Sequence, residues 1–288
     1  MQPLVDIVKK SEEVAGNLAQ ALGKVFSKNR FTLIMYCGNT EGLAQHLCSA
    51  IKIADPSINI AYFDADYSHN IVLPYLTETL SSTLLLSNAT DVNCAFKVLQ
   101  ALSLLGVETT ALLPTVTVTT FKNHAEKWSQ NIYLQELDNN IYRLSILQAS
   151  LRLAITLAGN NIARIKRIER ELNMSNIVKE LIDRYANAIT LAKSLVKPSI
   201  AVTKALMPAA EELMDRGIAT LVIGRHSPEE KNPNLLVYTS VEEQTVNEYL
   251  LKLTRKGIKR SEIPTIRINT DPLTAPVYAL IIFYAMAL

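Results

Sequence analysis

Residues 31–44 read FTLIMYCGNTEGLA and residues 83–92 read TLLLSNATDV, and these two stretches decide the fold. In each stretch a short, continuous apolar run ends in a polar turn, which then opens a segment with helical spacing of its apolar residues. Continuous apolar runs of this length are typical of parallel strands that are buried on both faces. Strands that alternate with helices predict an α/β fold, in which crossover helices cover both faces of a parallel sheet.

The strand pattern continues after the first stretch and returns near the end of the chain. Further strands are predicted at residues 58–63, 109–113, 131–134, 220–223, 235–238 and 265–268. Residues 141–216 read as almost purely helical between the two groups of strands. We therefore predict two doubly wound lobes in tandem, comprising a first lobe (1–158), a helical connection (159–216) and a shortened second lobe (217–288).

Composition restricts the class of protein before any motif is considered. The chain has 288 residues, of which 49% are hydrophobic and 19% charged, so it can bury a full core. Its net charge of +2 provides no one-sided field for nucleic acid. The three cysteines (Cys37, Cys48 and Cys94) contain no CxxC pair, which disfavours a disulfide framework or a zinc ribbon.

The apolar segments of the chain do not predict a membrane protein. The longest apolar run, residues 276–288, is shorter than the roughly 20 residues that span a bilayer. The N-terminus lacks the apolar core of a signal peptide. The sequence therefore predicts a cytoplasmic protein that does not bind a membrane.

Two polar turns are the candidate ligand site. Gly38-Asn39-Thr40 and the turn from Ser87 to Thr90 each follow a strand and open a helix. Free backbone N–H groups and the dipole at a helix N-terminus favour an anion, typically a phosphate. The alternative is that Thr40, Ser87 and Thr90 only cap their helices. A P-loop lysine motif and GxGxxG are both absent, so no nucleotide cofactor is predicted.

Both turns also resemble those of the sugar isomerase (SIS) family. Residues 83–114 resemble its phosphosugar-binding segment, and residues 36–44 resemble its first turn. Residues 142–158 and 271–288 are similar to the helices that close its two lobes, and the layout is similar to the isomerase half of glucosamine-6-phosphate synthase. The resemblance implies a sugar phosphate as ligand, carbohydrate metabolism as the setting, and aldose–ketose isomerisation without a cofactor or a metal.

Carried over residue by residue, the resemblance makes Thr40, Ser87 and Asn88 the ligands of the phosphate, with Gly38, Asn39 and Thr90 completing the site. Ala89, Thr90 and Val92 stand where the family has Ser, Gly and Thr, so two hydroxyl donors are lost. Each lost hydrogen bond to a charged group is worth about 1.5–3 kcal/mol. The phosphate should therefore bind more weakly here than in a typical member of the family.

The candidate catalytic residues are Glu243 and His226. Isomerisation needs a base to move a proton between two carbons and an acid to open the ring. Glu243 follows the strand at residues 235–238, and His226 lies in Gly224-Arg225-His226, which matches Cys37-Gly38-Asn39 in place and kind. The alternative is that Glu242 and Glu243 only supply favourable charge to the first turn of a helix. The long helix that carries the family's own Glu and His is missing.

Two functions remain open from the sequence. The protein is either a phosphosugar isomerase or related aminosugar-phosphate enzyme, or a non-catalytic phosphosugar-binding regulatory protein or subunit. The incomplete second turn and the shortened second lobe favour the non-catalytic function. We also predict a homodimer, with the hydrophobic helices at residues 141–158 or 275–288 contributing to the contact.

Overall fold

The computed structural model describes residues 2–26, 31–76, 78–128, 130–159, 162–195, 198–225 and 233–287. The chain divides into two units. The first unit is Lys10–Leu172, and the second consists of Met1–Lys9 with Asn173–Leu288. Each unit is built on its own parallel β-sheet, as the tandem strand patterns predict.

The sheet of the first unit contains the strands predicted in the first half of the chain. Its strands in the described ranges are β1 (Phe31–Cys37), β2 (Asn59–Asp64), β3 (Leu80–Ser87), β4 (Thr109–Pro114) and β5 (Ile132–Leu137). They pair in parallel in the order β2-β1-β3-β4-β5. β3 begins at Leu80 and not at the predicted Thr83, because the Ser82 hydroxyl is satisfied inside the sheet by the Thr32 hydroxyl at 2.9 Å.

Helices cover both faces of this sheet. They are α1 (Gln2–Val25, of which residues 10–25 belong to this unit), α2 (Glu41–Ala54), α3 (Ala65–Tyr67), α4 (Leu73–Leu76), α5 (Val92–Leu105), α6 (Thr115–Trp128), α7 (Tyr142–Ala158) and α8 (Ala163–Ile168). A π-helical turn at Ser68–Val72 joins α3 to α4. α2 packs against α7, where the His46 ring and the Ser150 hydroxyl share a buried hydrogen bond of 2.9 Å.

One side of β1 forms a core with α5 and α6. Side chains alternate between the two faces of a strand, so Leu33, Met35 and Cys37 lie on the same face. This face packs with Ala95 and Leu99 of α5, among other buried residues. Gly106 ends α5 in the left-handed conformation with φ +68°, which is the C-cap predicted from the sequence.

The second unit repeats the arrangement with fewer strands. Its described strands are β6 (Ser199–Val202), β7 (Ala219–Val222), β8 (Leu235–Thr239) and β9 (Thr265–Ile268), paired in parallel in the order β7-β6-β8-β9. Its helices are α9 (Met174–Arg184), α10 (Ala186–Ser194), α11 (Met207–Asp215), α12 (Glu243–Arg255) and α13 (Ala275–Ala287). α13 is apolar all round and packs against α9, α10 and α11, so its predicted burial is confirmed.

Strand β6 corrects the prediction for the second half of the chain. The sequence predicts a helix at residues 199–202, because a strand of four residues is too short to show an alternating pattern beside the helical pattern of residues 204–215. In the structure these residues form β6. In the second sheet β6 takes the central place that β1 takes in the first. β7 therefore corresponds to the edge strand β2, and the predicted match of Gly224-Arg225-His226 to Cys37-Gly38-Asn39 is wrong.

None of the helices in the described part of the chain is long and apolar enough to cross a membrane.

Candidate functional site

The two predicted turns lie side by side at one edge of the first sheet. β1 and β3 are hydrogen-bonded neighbours, and their last residues, Cys37 and Ser87, are paired. After β1 the chain continues to β2 on one side of this pair, and after β3 it continues to β4 on the other side. Ligands of open parallel sheets bind where the strand order reverses in this way. The structure thus brings the Gly38–Thr40 turn and the Ser87–Thr90 turn together at the switch point.

The hydroxyl groups of Thr40 and Ser87 are used within the turns. Thr40 is 0% exposed, and its Oγ1 donates to the Cys37 carbonyl at 2.9 Å. Ser87 is also 0% exposed, and its Oγ donates to the Asn88 carbonyl at 3.1 Å. A hydroxyl group has one hydrogen to donate, so either side chain must give up its carbonyl partner before it can donate to a phosphate. Their role as phosphate ligands stays a prediction.

Gly38 and Asp91 hold the two turns in close contact. Gly38 has φ +61°, and a Cβ atom at this position would overlap the Asp91 carboxylate and lie 2.9 Å from Asn88 Oδ1. Asn88 Oδ1 in turn accepts the Asp91 N–H at 3.1 Å. The exposed Thr90 donates its hydroxyl to Asp91 Oδ2 at 3.2 Å. A negative charge therefore stands at the edge of the predicted anion site.

Two consecutive residues of α7 form hydrogen bonds that hold the turns in place. The Tyr142 hydroxyl donates to the Leu112 carbonyl at 3.0 Å and accepts the Ser87 N–H at 3.2 Å, so it bridges the ends of β4 and β3. Arg143 is only 2% exposed, and its guanidinium donates to the Asn39 carbonyl at 2.6 Å. A positive charge is thereby buried directly behind the first turn.

Glu243, the one of the two predicted catalytic residues that the structure describes, belongs to the second unit. Glu243 is the first residue of α12, and its carboxylate forms a 3.0 Å ion pair with Arg267. The two side chains are 45% and 51% exposed, so the pair lies at the surface of the second unit. His226 lies outside the described residues, and its role stays a prediction.

The second sheet has a carboxylate of its own at its switch point. β6 and β8 are the central neighbours there, in the places that β1 and β3 take in the first sheet. The Glu242 carboxylate accepts the Thr239 hydroxyl at 2.7 Å from the end of β8 and the Ala205 N–H at 3.1 Å just beyond β6. Glu242 thus accepts two of the donors that an external anion could use at this switch point.

Three residues of the first site were missed by the sequence analysis. Asp91 directly precedes α5, and its position before the helix was a usable signal that a charged group would stand at the turn. Tyr142 and Arg143 act on turns 55 and 104 residues away, a distance over which no local pattern links them. Within the described ranges, no three His, Cys, Asp or Glu side chains are grouped to hold a metal ion.

Comparison with known proteins identifies the architecture. No protein-family model and no curated protein sequence matches this chain. Glucosamine-6-phosphate deaminase from Thermotoga maritima is 14% identical with a TM-score of 0.62, over 99% of this chain and 93% of that one. The C-terminal domain of glucosamine-fructose-6-phosphate aminotransferase from Francisella tularensis is 12% identical with a TM-score of 0.61, over 98% and 94%.

A third solved structure is similar over nearly all of this chain. Tagatose-6-phosphate ketose/aldose isomerase from Escherichia coli is 10% identical with a TM-score of 0.57, over 99% of this chain and 90% of that one. The chain has the phosphosugar isomerase fold. The fold class that the sequence predicts, with two parallel sheets covered by helices, is therefore confirmed.

The close approach at Gly38 predicts a large loss of stability on substitution. In Gly38→Ala, the left-handed backbone alone should cost about 1–3 kcal/mol in the free energy of unfolding. Displacement of the Asp91 carboxylate by the new methyl group should add to this. Urea denaturation of the full chain measures the loss.

Gly16→Ala is the matched control for Gly38→Ala. Gly16 lies within α1, and a Cβ atom there meets nothing within 4 Å. Alanine in an open helix position should stabilise by about 0.5–1 kcal/mol. Equal shifts in the two variants would contradict the close packing of Asp91 on Gly38.

The two hydrogen bonds of Glu242 predict that Glu242 and its neighbour Glu243 differ in their contribution to stability. Glu242→Ala leaves the buried Thr239 hydroxyl and the Ala205 N–H without their acceptor, which should destabilise the chain by about 1–3 kcal/mol. Glu243→Ala removes only a surface ion pair, whose contribution is about 0–1 kcal/mol. Thermal and urea unfolding of both variants provide the comparison, and equal losses would refute the assigned role of Glu242.

Proposed function

We propose that this protein binds a sugar phosphate at the carboxyl ends of β1 and β3 without isomerising it. The observation that carries the proposal is the meeting of two helix-opening turns at the switch point of a phosphosugar isomerase fold. α2 and α5 begin at these turns, and a helix N-terminus attracts a phosphate through its free N–H groups and its dipole.

The charge behind the first turn supports an anionic ligand. The guanidinium of Arg143 is almost completely buried, and it donates to the Asn39 carbonyl. A carbonyl group that is bonded to a cation carries less free negative charge toward the site. The positive field of Arg143 acts on the same turn whose backbone would face the phosphate, and screening by water is weak for so buried a group.

The choice of a sugar phosphate rests on the solved structures of the same fold. Three of these proteins are named for hexose or hexosamine 6-phosphates. These ligands share a phosphate dianion and a polyhydroxylated body. Thr40, Ser87, Asn88 and Thr90 carry hydroxyl and amide groups at this site, and the Thr40 and Ser87 hydroxyls can donate to a phosphate once they release their carbonyl partners.

The non-catalytic part of the proposal is supported by the contacts of the candidate bases. A general base must reach the carbon-bound proton within hydrogen-bond distance. Glu243 is paired with Arg267 at the surface of the second unit, and Glu242 is held by Thr239 and Ala205. Both carboxylates already have partners within the second unit, which favours binding without isomerisation.

Binding and turnover can be tested together on the full chain. Glucose 6-phosphate, fructose 6-phosphate and glucosamine 6-phosphate should raise its melting temperature, whereas the same sugars without phosphate should not. NMR of the mixtures should show no interconversion of aldose and ketose. Turnover of any of them would favour the isomerase function, and absence of binding to all of them would refute the proposal.

Substitutions of two serines of β3 test where the sugar phosphate binds. Ser87→Ala should weaken binding by up to about tenfold, because the hydrogen bond from Ser87 to the phosphate is stronger than the bond to the Asn88 carbonyl that it replaces. Ser81→Ala is the control, since Ser81 lies on the same strand and its hydroxyl donates to the Phe31 carbonyl at the opposite end. The proposed location is wrong if the two variants bind equally well in calorimetric titrations.

Removing the charge of the Asp91 carboxylate should have the opposite effect and strengthen binding. Asp91→Asn should strengthen the binding of a sugar phosphate by about tenfold, because a negative charge at the edge of the site no longer repels the dianion. Asp66→Asn is the control for net charge, since Asp66 is exposed and paired with Lys97 at 2.7 Å. Weaker binding of Asp91→Asn than of the wild type would show that the carboxylate contacts the ligand favourably.

A further inference from the structure

A cavity of about 550 Å³ opens between α1 and α7 in the first unit. Cavities of about 300–1,000 Å³ are of the size that takes small molecules. Gly16 and Gly23 of α1 line it, together with Arg152 and Leu153 of α7. Arg152 follows Arg143 by nine residues of α7, which is a rise of about 14 Å along the helix axis. The cavity is therefore separate from the candidate site, and the proposed binding function uses none of its lining residues.

Small residues of α1 keep this cavity open. Gly16, Ala19 and Gly23 are spaced three and four positions apart, so they lie on one face of α1. A Cβ atom on Gly16 would meet nothing within 4 Å, whereas a Cβ atom on Gly23 would lie 3.7 Å from Leu153 Cδ1. The two helices therefore approach each other at Gly23, and open space remains at Gly16. The polar groups beside this space then decide the class of ligand.

The α7 side of the cavity has hydrogen-bond donors without acceptors. Arg152 is the one charged side chain among the described residues that line the cavity. Within the part of the chain that the structure describes, its buried Nε–H group has no acceptor. Gln148 lies one turn earlier on the same face of α7 and is 2% exposed, and its Nε2 group has no partner there either. Because buried donors are almost always paired in folded proteins, this face of α7 favours a ligand that supplies an acceptor.

We propose that this cavity binds an organic carboxylate with an apolar body. The planar guanidinium of Arg152 matches a carboxylate, since two parallel N–H groups can donate to its two oxygens. Arg152 is only partly buried, so its guanidinium can turn to meet the ligand, which supplies the acceptor that Nε lacks. Leu153, Ile155 and Leu172 line the same space and pack against the apolar body. A neutral apolar molecule provides no such acceptor, and a cation is repelled by Arg152.

Calorimetric titration of the full chain with octanoate tests the charge recognition. Octanol and octylamine are its neutral and cationic analogues with the same apolar body, and we expect both to bind about tenfold or more weakly than octanoate. Arg152→Gln should weaken the binding of octanoate about tenfold or more, because a charge-assisted hydrogen bond is lost. Arg184→Gln is the control for net charge and should leave the affinity unchanged, since Arg184 is exposed and paired with Glu180 at 2.7 Å in the second unit.

Substitutions of Gly16 test the location of the bound octanoate. The side chain of Gly16→Leu should fill the open space and abolish binding, whereas the methyl group of Gly16→Ala leaves most of the space and should preserve it. Circular dichroism spectra and urea unfolding of both variants check that they fold. The proposal is overturned if octanoate does not bind to the wild type, if octanol binds equally well, if Gly16→Leu still binds octanoate, or if glucose 6-phosphate displaces it.

Discussion

The parallel pairing of β1 with β3 is the constraint on which the candidate site depends. It sets Cys37 opposite Ser87, so the turns that follow them must share one narrow space. A side chain on residue 38 would collide with Asp91, and only glycine permits both the positive φ and the contact. Tyr142 and Arg143 then bond to main-chain groups that the pairing has already brought within reach.

The switch points of the two units differ in the hydrogen bonds that their own carboxylates accept. In the second unit, the Glu242 carboxylate accepts hydrogen bonds from a backbone N–H and from a buried hydroxyl, so the chain itself uses two donors that an external anion could use. In the first unit, Asp91 accepts the hydroxyl of exposed Thr90 and stands at the edge of the site. This difference directs the binding proposal to the first unit, where the opposing charge borders the site without filling it.

The features that could be predicted from the sequence are those that depend on interactions between residues close together in the chain. The strands of the first sheet and the two polar turns are local patterns, and they were predicted from runs such as FTLIMY and TLLL. β6 has only Ser199–Val202 and stands directly before a helical segment. Its four residues are too few to show a strand pattern, and without β6 the sequence points to the wrong equivalent of the first turn. Contacts such as Arg143 with Asn39 depend on the assembled sheet and had no signal in the sequence.

At the proposed phosphate site, we expect an exchange of hydrogen bonds to set the affinity. Thr40 and Ser87 now donate to neutral carbonyl groups, and a phosphate must replace those acceptors. A hydrogen bond to an ionised acceptor is roughly twice as strong as a neutral one, so the exchange is favourable by less than a full charge-assisted bond. The charge of Asp91 opposes it, and the buried guanidinium of Arg143 favours it. We therefore expect this site to bind an anion more weakly than a site with free donors. Weaker binding is also what the sequence predicts, because Ala89 and Val92 stand where the family has hydroxyl side chains.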